Sequence, residues 1–137
     1  MADHAEPRRI QLKRTKGWKM PENTVRVARP GRWGNPFPVD LLGRALAVEM
    51  FRDLMTGFFD PYKMHHLTNA QFDEVYAAKT KFEKRLNWGL ELRSGARNEL
   101  RGKNLACFCK LTDACHADVL LELANQPVMA TEGGDNG

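Results

Sequence analysis

Cysteine is scarce in this chain of 137 residues: there are three, an odd number, and two of them are one residue apart. That excludes the paired-disulfide framework of small secreted domains and fits a reducing compartment. No apolar run approaches the ~20 residues a bilayer span needs, and the N-terminal MADHAEPRR has no apolar signal-peptide core. Both absences predict a cytoplasmic protein without a membrane partner. No Walker-type phosphate loop, dinucleotide fingerprint or internal repeat occurs. Acidic residues are sparse in the first quarter, where Asp3, Glu6 and Glu22 face nine lysines and arginines between Met1 and Asn35. A basic run is more often a solvated face than a site, but such asymmetry favours a polyanionic partner, either nucleic acid or a phosphorylated small molecule.

What is present is a globular composition, with 42% hydrophobic and 28% charged residues in a length suited to one domain. Residues 10–125 are predicted to form that domain, with disordered segments at 1–9 and 126–137. Ile10–Arg14 reads as a short edge strand and Thr24–Arg29 as a β-branched, alternating strand with Val25 and Val27 inward. Leu42, Leu46, Met50, Leu54 and Phe58, at steps of four, predict one amphipathic helix over Val39–Phe59. A second helix starts at the Thr68 cap and runs to about Leu92, and Ser94–Arg97 reads as a turn. The His65-His66 pair reads as a solvated loop. The order strand, loop, helices, strand, helix predicts a small α/β domain whose short sheet, parallel or mixed, is flanked by helices.

Chemistry concentrates in LRGKNLACFCKLTDACHADVLLELAN, Leu100 to Asn125. Asn104–Cys109 suits a buried strand, and alternation puts Leu105, Cys107 and Cys109 on one face. A tight loop follows, with Thr112 or Asp113 placed to cap a helix whose apolar positions are His116, Val119, Leu120 and Leu123. A helix start offers unpaired N–H groups and a positive dipole end, which attract anions and favour thiolates. Three readings stay open. Cys107, Cys109, Cys115 and His116 have the count and type of a closed zinc site, although C-x-C-x5-C-H is not a usual zinc pattern. Alternatively the junction is a metal-free reactive or anion site in which Cys109, Cys115, His116 and Asp118 are the catalytic candidates. In the third reading the cysteines are buried apolar residues.

The second informative stretch is RPGRWGNPFP, whose prolines and glycines exclude regular structure and fix an irregular loop at a strand end. Arg29 and Arg32 could hold an anion, Trp33 could stack on a base or sugar, and Asn35 could read a ring edge, with Gly34 between them. If the two motif strands are parallel neighbours, both motifs flank one crevice at strand C-terminal ends, where open α/β sheets bind ligands.

Together, NTVRVARPGRWGNPF and LRGKNLACFCKLTDACHADVLLELAN resemble the paired motifs of domain-of-unknown-function family 4326, whose members are small bacterial and phage proteins. The resemblance covers Arg14 to Asn125 and singles out Trp33, Gly34, Asn35, Pro36, Cys109, Cys115 and His116. Members often carry tryptophan between the first two cysteines, where Phe108 stands here. The family implies one intact domain and no particular reaction. The residues themselves point to a site for a nucleotide or other phosphorylated small molecule. A nucleic-acid-binding module and a zinc-stabilised structural or interaction domain are the alternatives, and whether the chain is an enzyme stays open.

Overall fold

The computed structural model describes residues 6–29, 31–86 and 92–126. Strands β1 (Arg9–Gln11), β2 (Thr24–Arg26) and β3 (Asn104–Cys107) form one sheet in the order β1-β3-β2. Both pairings are parallel, with Ile10 opposite Ala106 and Val25 opposite Leu105. The expected α/β class holds, with a parallel sheet. A parallel neighbour demands a long crossover. It is supplied by α1 (Val39–Leu42), α2 (Arg44–Thr56), a 3₁₀ turn at Pro61–Met64, α3 (Asn69–Arg85) and α4 (Leu92–Leu100). Helix α5 (His116–Asn125) follows β3 and packs on β1, β3, α2 and α4. No helix among the described residues is long and apolar enough to cross a membrane.

Several boundaries differ from the sequence reading. The helix expected over Val39–Phe59 is two, because Gly43 takes a left-handed φ of 84° with an extended ψ that no helix tolerates. Its buried face is Ala47, Met50, Phe51, Leu54 and Met55, not the row ending at Phe58. Gly57 closes α2 in the left-handed conformation, so Phe58 falls beyond the helix and stands 74% exposed. The turn expected at Ser94–Arg97 is helical: Ala96 and Leu100, one turn apart, are fully buried where α4 packs on α5, and burial overrides the poor propensity of Ser94 and Gly95. Helix α3 ends at Arg85, short of Leu92. Leu90, Pro30 and most of the two segments expected to be disordered lie outside the described residues. The strand expected from Ile10 begins at Arg9 and ends at Gln11, and Asn104–Cys109 is a strand only as far as Cys107.

Arg9 connects the sheet to the cysteine loop. Its side chain is nearly buried, and Nη2 donates to the carbonyls of Lys110, Leu111 and Asp113 at 2.8–3.0 Å. Nε lies 3.4 Å from Asp118, which is half exposed. Three charge-assisted bonds from a nearly buried guanidinium contribute more than an ion pair to a half-exposed carboxylate. Arg9→Ala is therefore expected to lower stability by about 2 kcal/mol and to speed amide exchange at Lys110–Asp113. Asp118→Asn should change it by less than about 0.5 kcal/mol. Urea melts with hydrogen exchange check both; equal losses would show that the Asp118 pair, not the carbonyl clamp, holds the loop.

Candidate functional site

The sheet brings the two motif segments together. β2 and β3 run parallel, so RPGRWGNPF and the cysteine loop leave from the same edge. Between them lies a cavity of about 350 Å³. The first motif lines it with Ala28, Arg29, Asn35 and Phe37, and the second with Cys107, Phe108, Cys109, Cys115 and His116. Val39, Asp40, Arg44 and Val48 from α1 and α2 close the remaining wall.

β3 ends at Cys107, and the bend at Phe108 brings Cys109 back beside it, so that their sulfurs are 3.8 Å apart. The loop then returns Cys115, so that all three sulfurs lie within 4.8 Å of one another, and none is in a disulfide. Each sulfur has an N–H aimed at it. Arg44 Nη1 donates to Cys109 at 3.3 Å, the Ala117 amide to Cys115 at 3.5 Å, and the Cys109 amide to Cys107. Cys115 itself is the α5 cap, in place of the expected Thr112 or Asp113. Those two lie in a turn closed by Asp113 N–H to Lys110 C=O, ahead of the helix.

The thiols titrate as a group. A hydrogen bond from Cys115 holds Cys107 below the ordinary thiol range, against the opposing effect of burial. Cys115 is pushed up because it shares that proton with Cys107 and because it is buried. Burial first, then Cys115, pushes Cys109 up, and Arg44 pulls the other way.

His116 is buried, and its ring nitrogen Nε2 lies 2.8 Å from the Val27 carbonyl, an acceptor only, so Nε2 carries the proton. Nδ1, on the other side of the ring, lies 3.7 Å from Cys115 Sγ. His116 is thus aimed at Cys115 but stands outside the group of three mutually close sulfurs. Asp118, in the first turn of α5, pairs with Arg9 and does not line the cavity. His65 and His66 belong to no metal-competent group among the described residues.

The loop residues divide sharply. Trp33 is 3% exposed, and its indole N–H donates to Glu99 Oε1 at 3.0 Å. Arg32 forms a two-bonded pair with the same carboxylate and donates to Arg85 C=O. Asn35 donates to Ala47 C=O and accepts from Phe37 N–H, so it shapes the wall. Gly34 is required: a Cβ there would meet Arg29 Cα and Cγ at 2.9 Å. Arg29 lies across it, with Nε on the Asn35 carbonyl at 2.7 Å. Two residues that sequence reasoning left out belong to the site. Arg44 lacked any motif, and Glu99 lay in the stretch between the expected Ser94–Arg97 turn and the cysteine strand; neither carried a local signal.

Arg32, then Trp33, holds the Glu99 carboxyl below the usual range. A lowered carboxylate contributes stability that is complete above its unfolded pKa, about 4.3, and is lost as pH falls through the lower folded value. Urea stability of the wild type should therefore drop below about pH 4.3 in a limb that Glu99→Gln lacks. Identical acid limbs in the two proteins would show that the Arg32–Glu99–Trp33 contact is not formed.

Comparison with curated proteins and with solved structures gave no match. The family described as domain of unknown function (DUF4326) matches residues 10–126, a span that contains both motifs, the cavity between them and every residue of the thiol cluster. On that match the chain belongs to the DUF4326 family.

Proposed function

We propose that Cys107, Cys109 and Cys115 hold one zinc ion on the wall of a cavity that takes a nucleotide-like or other phosphorylated small molecule. The observation that carries the metal is the gathering of three sulfurs, each with its own N–H donor. Sulfurs bound to one zinc at 2.3 Å in a tetrahedron stand about 3.8 Å apart, which is the Cys107–Cys109 separation. Three thiolates on a divalent ion leave one negative charge, and the Arg44 guanidinium beside Cys109 offsets it. The fourth position would be open to the cavity or taken by His116 Nδ1. Open, it is the arrangement of catalytic zinc; filled by the protein, that of structural zinc.

The small-molecule reading is supported by the cavity's size, at the lower end of ordinary ligand pockets, and by Arg29 on its rim. Phe108, half-buried on the cavity wall, offers apolar contact, a part that buried Trp33, off that wall, cannot play. The nucleic-acid alternative is weaker in the observed charge distribution. Of the basic N-terminal residues, Arg9 and Arg32 are committed to internal partners, and Arg14 and Arg26 stack over Phe108 at 4.0 and 5.1 Å.

Elemental analysis of untagged protein should find one equivalent of zinc, with all three thiols protected from alkylation. Cys107→Ser, Cys109→Ser and Cys115→Ser should each lose it. His116→Gln should retain it if the fourth position is open and lose it if the site is closed. Metal-free protein with one fast-reacting thiol would sink the metal and leave a reactive-cysteine site.

A further inference from the structure

Behind the WGNP segment, Arg29 borders a second, smaller cavity of about 200 Å³. Its walls are Gly31, Gly34 and Pro36 on one side and Ala78, Lys81 and Arg85 of α3 on the other. Among the described residues no carboxylate lines it, and neither Lys81 nor Arg85 has a side-chain partner. Lys79, on the same helix, instead pairs with Glu83 and lies over the rings of Phe59 and Tyr76, while the exposed Lys84 has no partner among the described residues either.

The groove is built, not incidental. Arg29 is fixed by two devices, the missing Cβ of Gly34 and the bond from Nε to Asn35 C=O. Its two terminal nitrogens have no protein partner among the described residues. Arg32 reaches from the loop to Arg85 C=O at 2.8 Å and to Glu99, so it ties the end of α3 to the loop and covers a carbonyl that would repel an anion. The third cavity that Arg29 borders carries Asp40 and Glu74, so the anion-attracting side is the one facing Lys81 and Arg85.

We infer that Arg29, Lys81 and Arg85 form a phosphate subsite, which takes the phosphate of a small ligand whose body lies in the cysteine cavity across Arg29. This deepens the small-molecule part of the proposed function and rests on it, but not on the metal. Three cations without counter-ions among the described residues, around a space of this size, suit a phosphate, and a guanidinium held only through Nε has two terminal nitrogens to offer as a pair, the geometry that phosphate oxygens accept.

The test is calorimetric titration of the full chain with inorganic pyrophosphate and, separately, with a ribonucleoside 5′-monophosphate. Both should bind saturably, and the double variant Lys81→Ala/Arg85→Ala should weaken both by at least about tenfold, a loss of ~1.4 kcal/mol, with its melting temperature unchanged. Arg29→Lys, which keeps the charge but not the paired nitrogens, should weaken both less. Val48→Phe, which narrows only the cysteine cavity, should weaken the nucleotide alone. Equal affinity for pyrophosphate and nucleotide, lost together in the double variant, would uphold the groove and overturn the cavity reading. Wild-type affinity in the double variant, or no saturable binding of pyrophosphate, would overturn the inference while leaving the metal untouched. Much tighter binding of a single-stranded oligonucleotide, with a salt slope counting several phosphates, would overturn it in favour of a nucleic-acid groove.

Discussion

The site depends on β3 having a parallel partner on both sides. Its hydrogen bonds continue past the short ladders: Leu12 N–H donates to Cys107 C=O and Val27 N–H to Ala106 C=O, both at 2.8 Å. The backbone on either side of Cys107 is therefore fixed to the residues that follow β1 and β2. From that anchor the strand alternation aims Cys107, and the chain turns through Phe108 to bring Cys109 beside it. Val27 has a second part, since its carbonyl receives the His116 ring proton and so joins the end of β2 to the start of α5. Phe51 meets that ring edge-on at 5.2 Å, so the imidazole orientation is fixed by the core as well as by the bond.

Much of this was legible in the residues because it follows from local rules. The apolar row His116, Val119, Leu120 and Leu123 sets the buried face of α5, and the two thiols do meet, although a bend after Cys107 rather than a continued strand brings Cys109 in. Parallel pairing of two strands, each ending in a motif, forces both motifs to one edge. The cavity between them is that inference made visible. What could not be read depends on partners far along the chain. Trp33 in a fixed loop looks like a stacking platform until Glu99, 66 residues on, accepts its indole proton. The capping residue was misplaced because Arg9, about a hundred residues upstream, holds the Lys110–Asp113 carbonyls and delays the helix to His116.

The same long-range partners explain why the basic N-terminal quarter is a poor guide to surface charge. A positive side chain near carbonyl oxygens or a carboxylate contributes to cohesion and leaves little field outside. Arg9 and Arg32 are of this kind, while Arg14 and Arg26 cover the ring of Phe108 and shield the C-x-C backbone from one side. The uncompensated cations at the loop come from elsewhere, from Lys81 and Arg85 on α3, a helix whose alternating charges look wholly solvated in one dimension. Only the fold brings them beside Arg29.

Arg29 is a wall shared by two chambers, since it borders both the cysteine cavity and the basic groove. A charge placed in either one changes the field in the other through a single guanidinium. On the proposed reading, a metal on the three sulfurs and a phosphate in the groove would be linked through it, and linkage would make that influence mutual: whatever one does to the affinity for the other, the other does by the same factor in return. Substituting Arg29 would then not act at one site alone. Gly34, by leaving room for the Arg29 stem, is what permits one side chain to border both cavities.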